Sequence, residues 1–178
     1  MKYLRETSGL GLTFRKSREW ASGELVLYAD ADYASAVSDR RSVSGVAVMV
    51  AGVAVSWLSR TQKCVTLSTT EAEYVAMTDG LKEAIYVRNV LSFMDFVRRK
   101  IVLKEDNQEA IALAENLGGS NNSKRIEVRI HFIREKVGLG DVEVFRVESA
   151  QQHADILTKP LGRGSFELHR NFLLGRGS

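Results

Sequence analysis

The chain has 178 residues, 44% of them hydrophobic, with 25 Lys and Arg against 22 Asp and Glu and a formal net charge of +3. That composition supplies the core of one globular domain, and the mild positive charge is compatible with a nucleic-acid partner without demanding one. The single cysteine, Cys64, excludes internal disulfides and cysteine-rich zinc sites and fits a reducing compartment; no stretch approaches the roughly 18 apolar residues of a membrane span, and the opening MKYLRETSG lacks the apolar run of a signal peptide.

Residues 1–22 are mixed and polar and read as a lead-in segment. Leu25 to Tyr28 is an unbroken apolar run that predicts a buried strand over 24–30, ending at Asp30, with Asp32 on the same face. A carboxylate at the end of a core strand is unfavourable unless a basic side chain, a helix N-terminus or a bound cation compensates it. Residues 31–43 read as a loop. Ser44–Val50 and Ala54–Leu58 are apolar runs flanking Ala51-Gly52-Val53, a hairpin signal with Gly52 in the turn. Trp57, on the second run, is expected in the core, and Cys64 falls in a linker.

Ser68-Thr69-Thr70-Glu71 is a capping box opening a helix whose apolar period runs through Tyr74, Met77, Leu81 and Ile85, with Gly80 expected to weaken its middle. Ile101–Leu103 predicts a strand running into Glu105 and Asp106, and 107–116 a helix that Asp106 is placed to cap. The segment GGSNNS over 118–123 reads as a flexible loop, 125–137 as a basic helix and 142–147 as a strand. Ser149, with Gln152 three residues on, reads as the cap of a second boxed helix that carries Asp155 and stops near Pro160; 165–174 predicts a last short helix. His131 is expected to pack and His153 to lie on a solvated face. The order βββ-α-β-α-α-β-α is α/β: a mixed sheet of three antiparallel strands followed by parallel additions, flanked by helices.

Four acids stand at comparable places in this order. Asp30 and Asp106 end strands that a mixed sheet can set side by side, Glu73 lies in the second turn of the Ser68 helix, where Glu71 is engaged in capping, and Asp155 lies in the last boxed helix. Four converging carboxylates without basic partners repel one another, and a multiply charged cation makes such a cluster tolerable. Oxygen donors without a His or Cys set point to Mg²⁺ or Mn²⁺, and carboxylates bridging two such ions are a common apparatus for cutting phosphodiesters.

The stretches YADADYA, DRRSVSG, VSWLSRTQKCVTLSTTEAEYVAM, EDNQEAIALAEN, IHFIREKV and HADILTKPL, from about residue 25 to 161, resemble in order the ribonuclease H domain of copia-type LTR retrotransposon Pol polyproteins. The resemblance implies a ribonuclease H-like fold over 23–161, with 1–22 as a connection-like lead-in and 162–178 as a tail with a short helix. It implies an endonuclease that hydrolyses the RNA strand of RNA/DNA hybrids with two Mg²⁺ (or Mn²⁺) ions and leaves 5′-phosphate and 3′-hydroxyl ends. Asp30, Glu73, Asp106 and Asp155 would be catalytic and metal-ligating: Asp30 bridging the ions, Glu73 and Asp106 completing one side, Asp155 holding the nucleophile-side ion. Arg40, Arg41, Arg60, Lys63, Lys124 and Arg125 would contact nucleic acid. The partners would be the hybrid and the reverse transcriptase domain of the same polyprotein, with no membrane, inside the cell in a cytoplasmic virus-like particle. The reverse transcriptase and integrase regions are absent, so an excised domain or a remnant reading frame is expected. The family's usual Lys-His-Ile-Asp/Glu reads Lys124-Arg125-Ile126-Glu127 here, which keeps a second reading open: a catalytically weakened remnant acting as a nucleic-acid-binding or subunit-interaction module. A third reading is another nuclease of the same superfold.

Overall fold

A computed structural model of the chain describes residues 2–14, 25–36, 38–94, 100–115 and 124–176; the GGSNNS loop lies outside them. The apolar runs become five strands: β1 Leu25–Asp32, β2 Val43–Val50, β3 Val53–Thr61, β4 Ile101–Glu105 and β5 Val142–Arg146, in the sheet order β3-β2-β1-β4-β5. β2 pairs antiparallel with both β1 and β3, whereas β4 pairs parallel with both β1 and β5. The three-antiparallel-then-parallel expectation therefore holds. The β2–β3 hairpin turns on Ala51 (φ 51°) and Gly52 (φ 78°), both left-handed, as a two-residue turn matched to strand twist requires.

The helices are α1 Lys2–Glu6, α2 Thr69–Phe93, α3 Gln108–Ala114, α4 Lys124–Gly138 and α5 Arg163–Leu173. Ser68 caps α2 by accepting from the Glu71 amide at 3.1 Å, and the Glu71 carboxylate reaches back to the Leu67 amide at 2.8 Å, one residue beyond the usual box. One face of β1 (Leu25, Leu27, Ala29, Ala31) packs with Ile101 and Leu103 of β4 against Ala72, Val75, Ala76 and Leu81 of α2. Gly80 serves this contact: a Cβ there would sit 2.9 Å from Leu27 Cδ1 and 3.2 Å from both Val46 methyls, so its missing side chain lets helix and sheet approach. A smaller cluster joins Tyr28, Ala47, Met49 and Ala154 with Phe172 and Leu173. The lead-in is tied to the last helix through Thr13 N to Leu174 O at 2.8 Å and a Tyr3–Phe166 ring contact.

Three expectations fail for tertiary reasons. Trp57 is 59% exposed because β3 is an edge strand and one of its faces meets solvent. The boxed helix after Ser149 is two 3₁₀ turns, Ser149–Gln151 and His153–Leu157, because Gln152 is fully buried between them and its Nε2 donates to the Ala29 carbonyl of β1 at 2.8 Å. The two histidines exchange roles: His131 is exposed on α4, while His153 is buried, its Nδ1 2.9 Å from His169 Nδ1 and its ring stacked on Phe172.

Candidate metal centre

Parallel pairing of β1 with β4 sets Tyr28 opposite Lys104, and the same register carried two residues on sets Asp30 beside Asp106. Asp106 is left available by its neighbour: Asn107, not Asp106, caps α3, its side chain accepting from the Ala110 amide at 3.0 Å. Glu73 arrives from α2. One carboxylate oxygen from each of Asp30, Glu73 and Asp106 lies within 4.8 Å of the other two. Asp155 comes from the His153–Leu157 turn, which is seated on β2 at Gly45, where a Cβ would lie 2.6 Å from Thr158 Cγ2 and 2.8 Å from the Ala154 carbonyl. Asp155 stands next to Asp30 through Lys159, whose Nζ is 3.4 Å from Asp30 Oδ1 and 3.0 Å from Asp155 Oδ1. The Thr158 hydroxyl donates to Asp30 Oδ2. The structure thus brings the four sequence-predicted acids to one end of the sheet, three directly and the fourth across a lysine.

At an effective dielectric of about 20, two carboxylates 4.8 Å apart repel by about 3 kcal/mol, and the three mutual pairs of Asp30, Glu73 and Asp106 by about 10 kcal/mol. That is comparable to the whole stability of a domain, roughly 5–15 kcal/mol. The acids answer by holding protons: burial, and then the neighbouring acids Glu105, Asp30 and Asp106, push Glu73 up to about 11, and burial pushes Asp30 up to about 6 against the opposing pull of Thr158 and Lys159. Glu73 Oε2 is buried with no hydrogen-bond partner among the described residues. An orphaned buried carboxylate oxygen in a set of hard oxygen donors fits a divalent cation.

Sequence reasoning passed over two members of this neighbourhood. Glu105 is wholly buried, on the α2-facing side of β4 with Ile101 and Leu103. Its Oε1 accepts from the Asn107 amide at 3.1 Å, its Oε2 has no partner among the described residues, and burial raises its carboxyl well above the usual range. Alternation along Ile101–Leu103–Glu105 is the signal that could have found it. Lys159 follows Asp155 by four residues, the spacing of an ion pair, but its contact with Asp30 spans 129 residues and has no local signature.

Of the predicted nucleic-acid contacts, Arg40 and Lys63 are exposed, Arg41 Nε donates to Asp39 at 2.6 Å, and Arg60 pairs with Asp79 at 2.7 Å. Lys124 and Arg125 open α4, and their side chains lie outside the described set.

The architecture is that of a ribonuclease H. The chain superposes on LC11-RNase H1, isolated from compost, with a TM-score of 0.61 and 14% identity over 76% of this chain and 93% of that one, and on the same protein in complex with an RNA/DNA hybrid with a TM-score of 0.54. Identities this low establish the fold alone. No protein-family model matches the chain. By sequence the chain is homologous to a segment of plant retrotransposon Pol polyproteins. It is 39% identical over 168 residues to the retrovirus-related Pol polyprotein from transposon TNT 1-94 of Nicotiana tabacum and 33% identical to that from transposon RE1 of Arabidopsis thaliana, covering 94% of this chain in each case. It spans only 12% and 11% of those polyproteins.

Proposed function

We propose that this chain is a divalent-metal-dependent ribonuclease H that hydrolyses the RNA strand of RNA/DNA hybrids during retrotransposon reverse transcription. The observation that carries the reading is the convergence of Asp30, Glu73 and Asp106 within 4.8 Å, with Asp155 beside Asp30. The relatives support it as retrotransposon Pol polyproteins, and a structural neighbour is a ribonuclease H bound to an RNA/DNA hybrid.

Asp30, Glu73, Asp106 and Asp155 would hold Mg²⁺ or Mn²⁺. Bound there, such ions activate a water for attack on phosphorus and stabilise the leaving 3′ oxygen. The protein's share is positioning. The β1–β4 register fixes the spacing of Asp30 and Asp106, Thr158 orients the Asp30 carboxylate, and Gln152 anchors the Asp155 turn to β1. Arg40 and Lys63, both exposed, would meet phosphates, while Arg41 and Arg60 would share their guanidinium groups with Asp39 and Asp79. The reverse transcriptase region of the same polyprotein would be the covalent partner, inside a virus-like particle.

The test is cleavage of labelled RNA/DNA hybrid, duplex DNA and duplex RNA with Mg²⁺, Mn²⁺ or EDTA. The expected result is cutting of the hybrid alone, dependent on metal, with Asp106→Asn losing at least 100-fold in rate while staying folded. Hybrid binding without cutting would replace this reading with that of a catalytically weakened remnant, and cutting of duplex DNA with that of a different nuclease.

A further inference from the structure

Lys159 is the residue of the centre that a metal-binding site does not need. Its ammonium lies between Asp30 and Asp155, 3.4 and 3.0 Å away, on the side where these two acids face each other. It is held there by the backbone as well as by charge. Lys159 N bonds the Asp155 carbonyl at 3.0 Å, Thr158 ties the same turn to Asp30, and Gln152 anchors the turn's start to β1. Asp30 is 2% exposed and lies beside Asp155 and Asp106, and among the described residues Lys159 is the cation that pairs with it. The Lys159 side chain is itself 37% exposed, which leaves it a route outward.

Resting on the metal-dependent reading above, we propose that Lys159 is a resident counter-cation: it holds the Asp30–Asp155 side of the centre, so that the free protein takes one divalent ion at Asp30, Glu73 and Asp106 and admits a second only when Lys159 withdraws. A divalent ion ligated by the same two carboxylates would stand within a few ångströms of the ammonium, and the repulsion between their like charges opposes joint occupancy. A strand whose phosphates pass over the centre offers the ammonium another anion, which would couple completion of the metal set to substrate arrival.

The experiment counts bound Mn²⁺ in the full chain without nucleic acid, by calorimetric titration and by the electron paramagnetic resonance signal of free Mn²⁺. Wild type is expected to bind one ion. Lys159→Met keeps the aliphatic stem, removes the charge and is expected to bind two; Lys159→Arg keeps the charge and is expected to bind one. In EDTA, Lys159→Met is expected to melt several degrees below wild type, and saturating Mn²⁺ to close that gap. Equal stoichiometry and affinity in wild type and Lys159→Met, with wild type binding, would overturn this proposal alone. Absence of binding in both would overturn the metal centre as well. Should Lys159→Met not fold, the wild type suffices: in EDTA, acetylation of Lys159 is expected to be at least ten-fold slower than that of exposed Lys63, and equal rates would overturn the proposal.

Discussion

Replacing Glu73 by Gln tests the electrostatics of the centre apart from catalysis. Glu73 is 7% exposed, and burial with its acidic neighbours raises its carboxyl to about 11. In the unfolded chain the same group ionises near 4.5. Between these values the native state binds one more proton than the unfolded state, so stability falls as pH rises, by about 1.4 kcal/mol per pH unit. The stabilisation is complete below the unfolded value and is exhausted near 11. Buried Glu105 is raised too and adds a slope of the same sign, so the Glu73 contribution is read as the difference between wild type and Glu73→Gln, above pH 7 where Asp30, raised to about 6, has largely ionised. Urea unfolding followed by circular dichroism in EDTA, at pH 7, 8 and 9, should show wild type losing about 3 kcal/mol more than Glu73→Gln across the range. Saturating Mg²⁺ binds the ionised form and should flatten the wild-type slope. Parallel pH profiles for the two proteins in EDTA would refute the argument that Glu73 is held protonated by its surroundings.

The same protonation means that Mn²⁺ must displace protons: calorimetric titrations at pH 7 in buffers of different ionisation enthalpy should give different apparent enthalpies, and identical values would contradict it. Gly45→Ala puts a Cβ 2.6 Å from Thr158 Cγ2 and 2.8 Å from the Ala154 carbonyl, and should cost about 1–3 kcal/mol in urea unfolding. Asn107→Ala removes the side-chain cap of α3 and should cost about 1 kcal/mol, while Asp106→Ala should leave the cap intact.

Local chemistry carried much of this protein into view. Ser68 and Glu71 announce a helix start because capping is settled within four residues, and Ala51-Gly52 announces a hairpin because the turn is settled within two. Apolar runs ending at Asp30 and beside Asp106 mark the acids, because a carboxylate closing a core strand is conspicuous whatever lies around it. What the chain order could not settle were contacts between distant segments. Trp57 is exposed because β3 ended as an edge strand, and His153 is buried because its turn faces Tyr28 and Phe172. The run after Ser149 forms 3₁₀ turns because Gln152 found a carbonyl on β1. The spacing of the acids, the orphaned oxygens of Glu73 and Glu105, and the ammonium of Lys159 between Asp30 and Asp155 are likewise products of the tertiary structure. Side-chain type and local spacing set what a residue can do; the electrostatic field it works in is summed over groups that only the folded chain brings within a few ångströms.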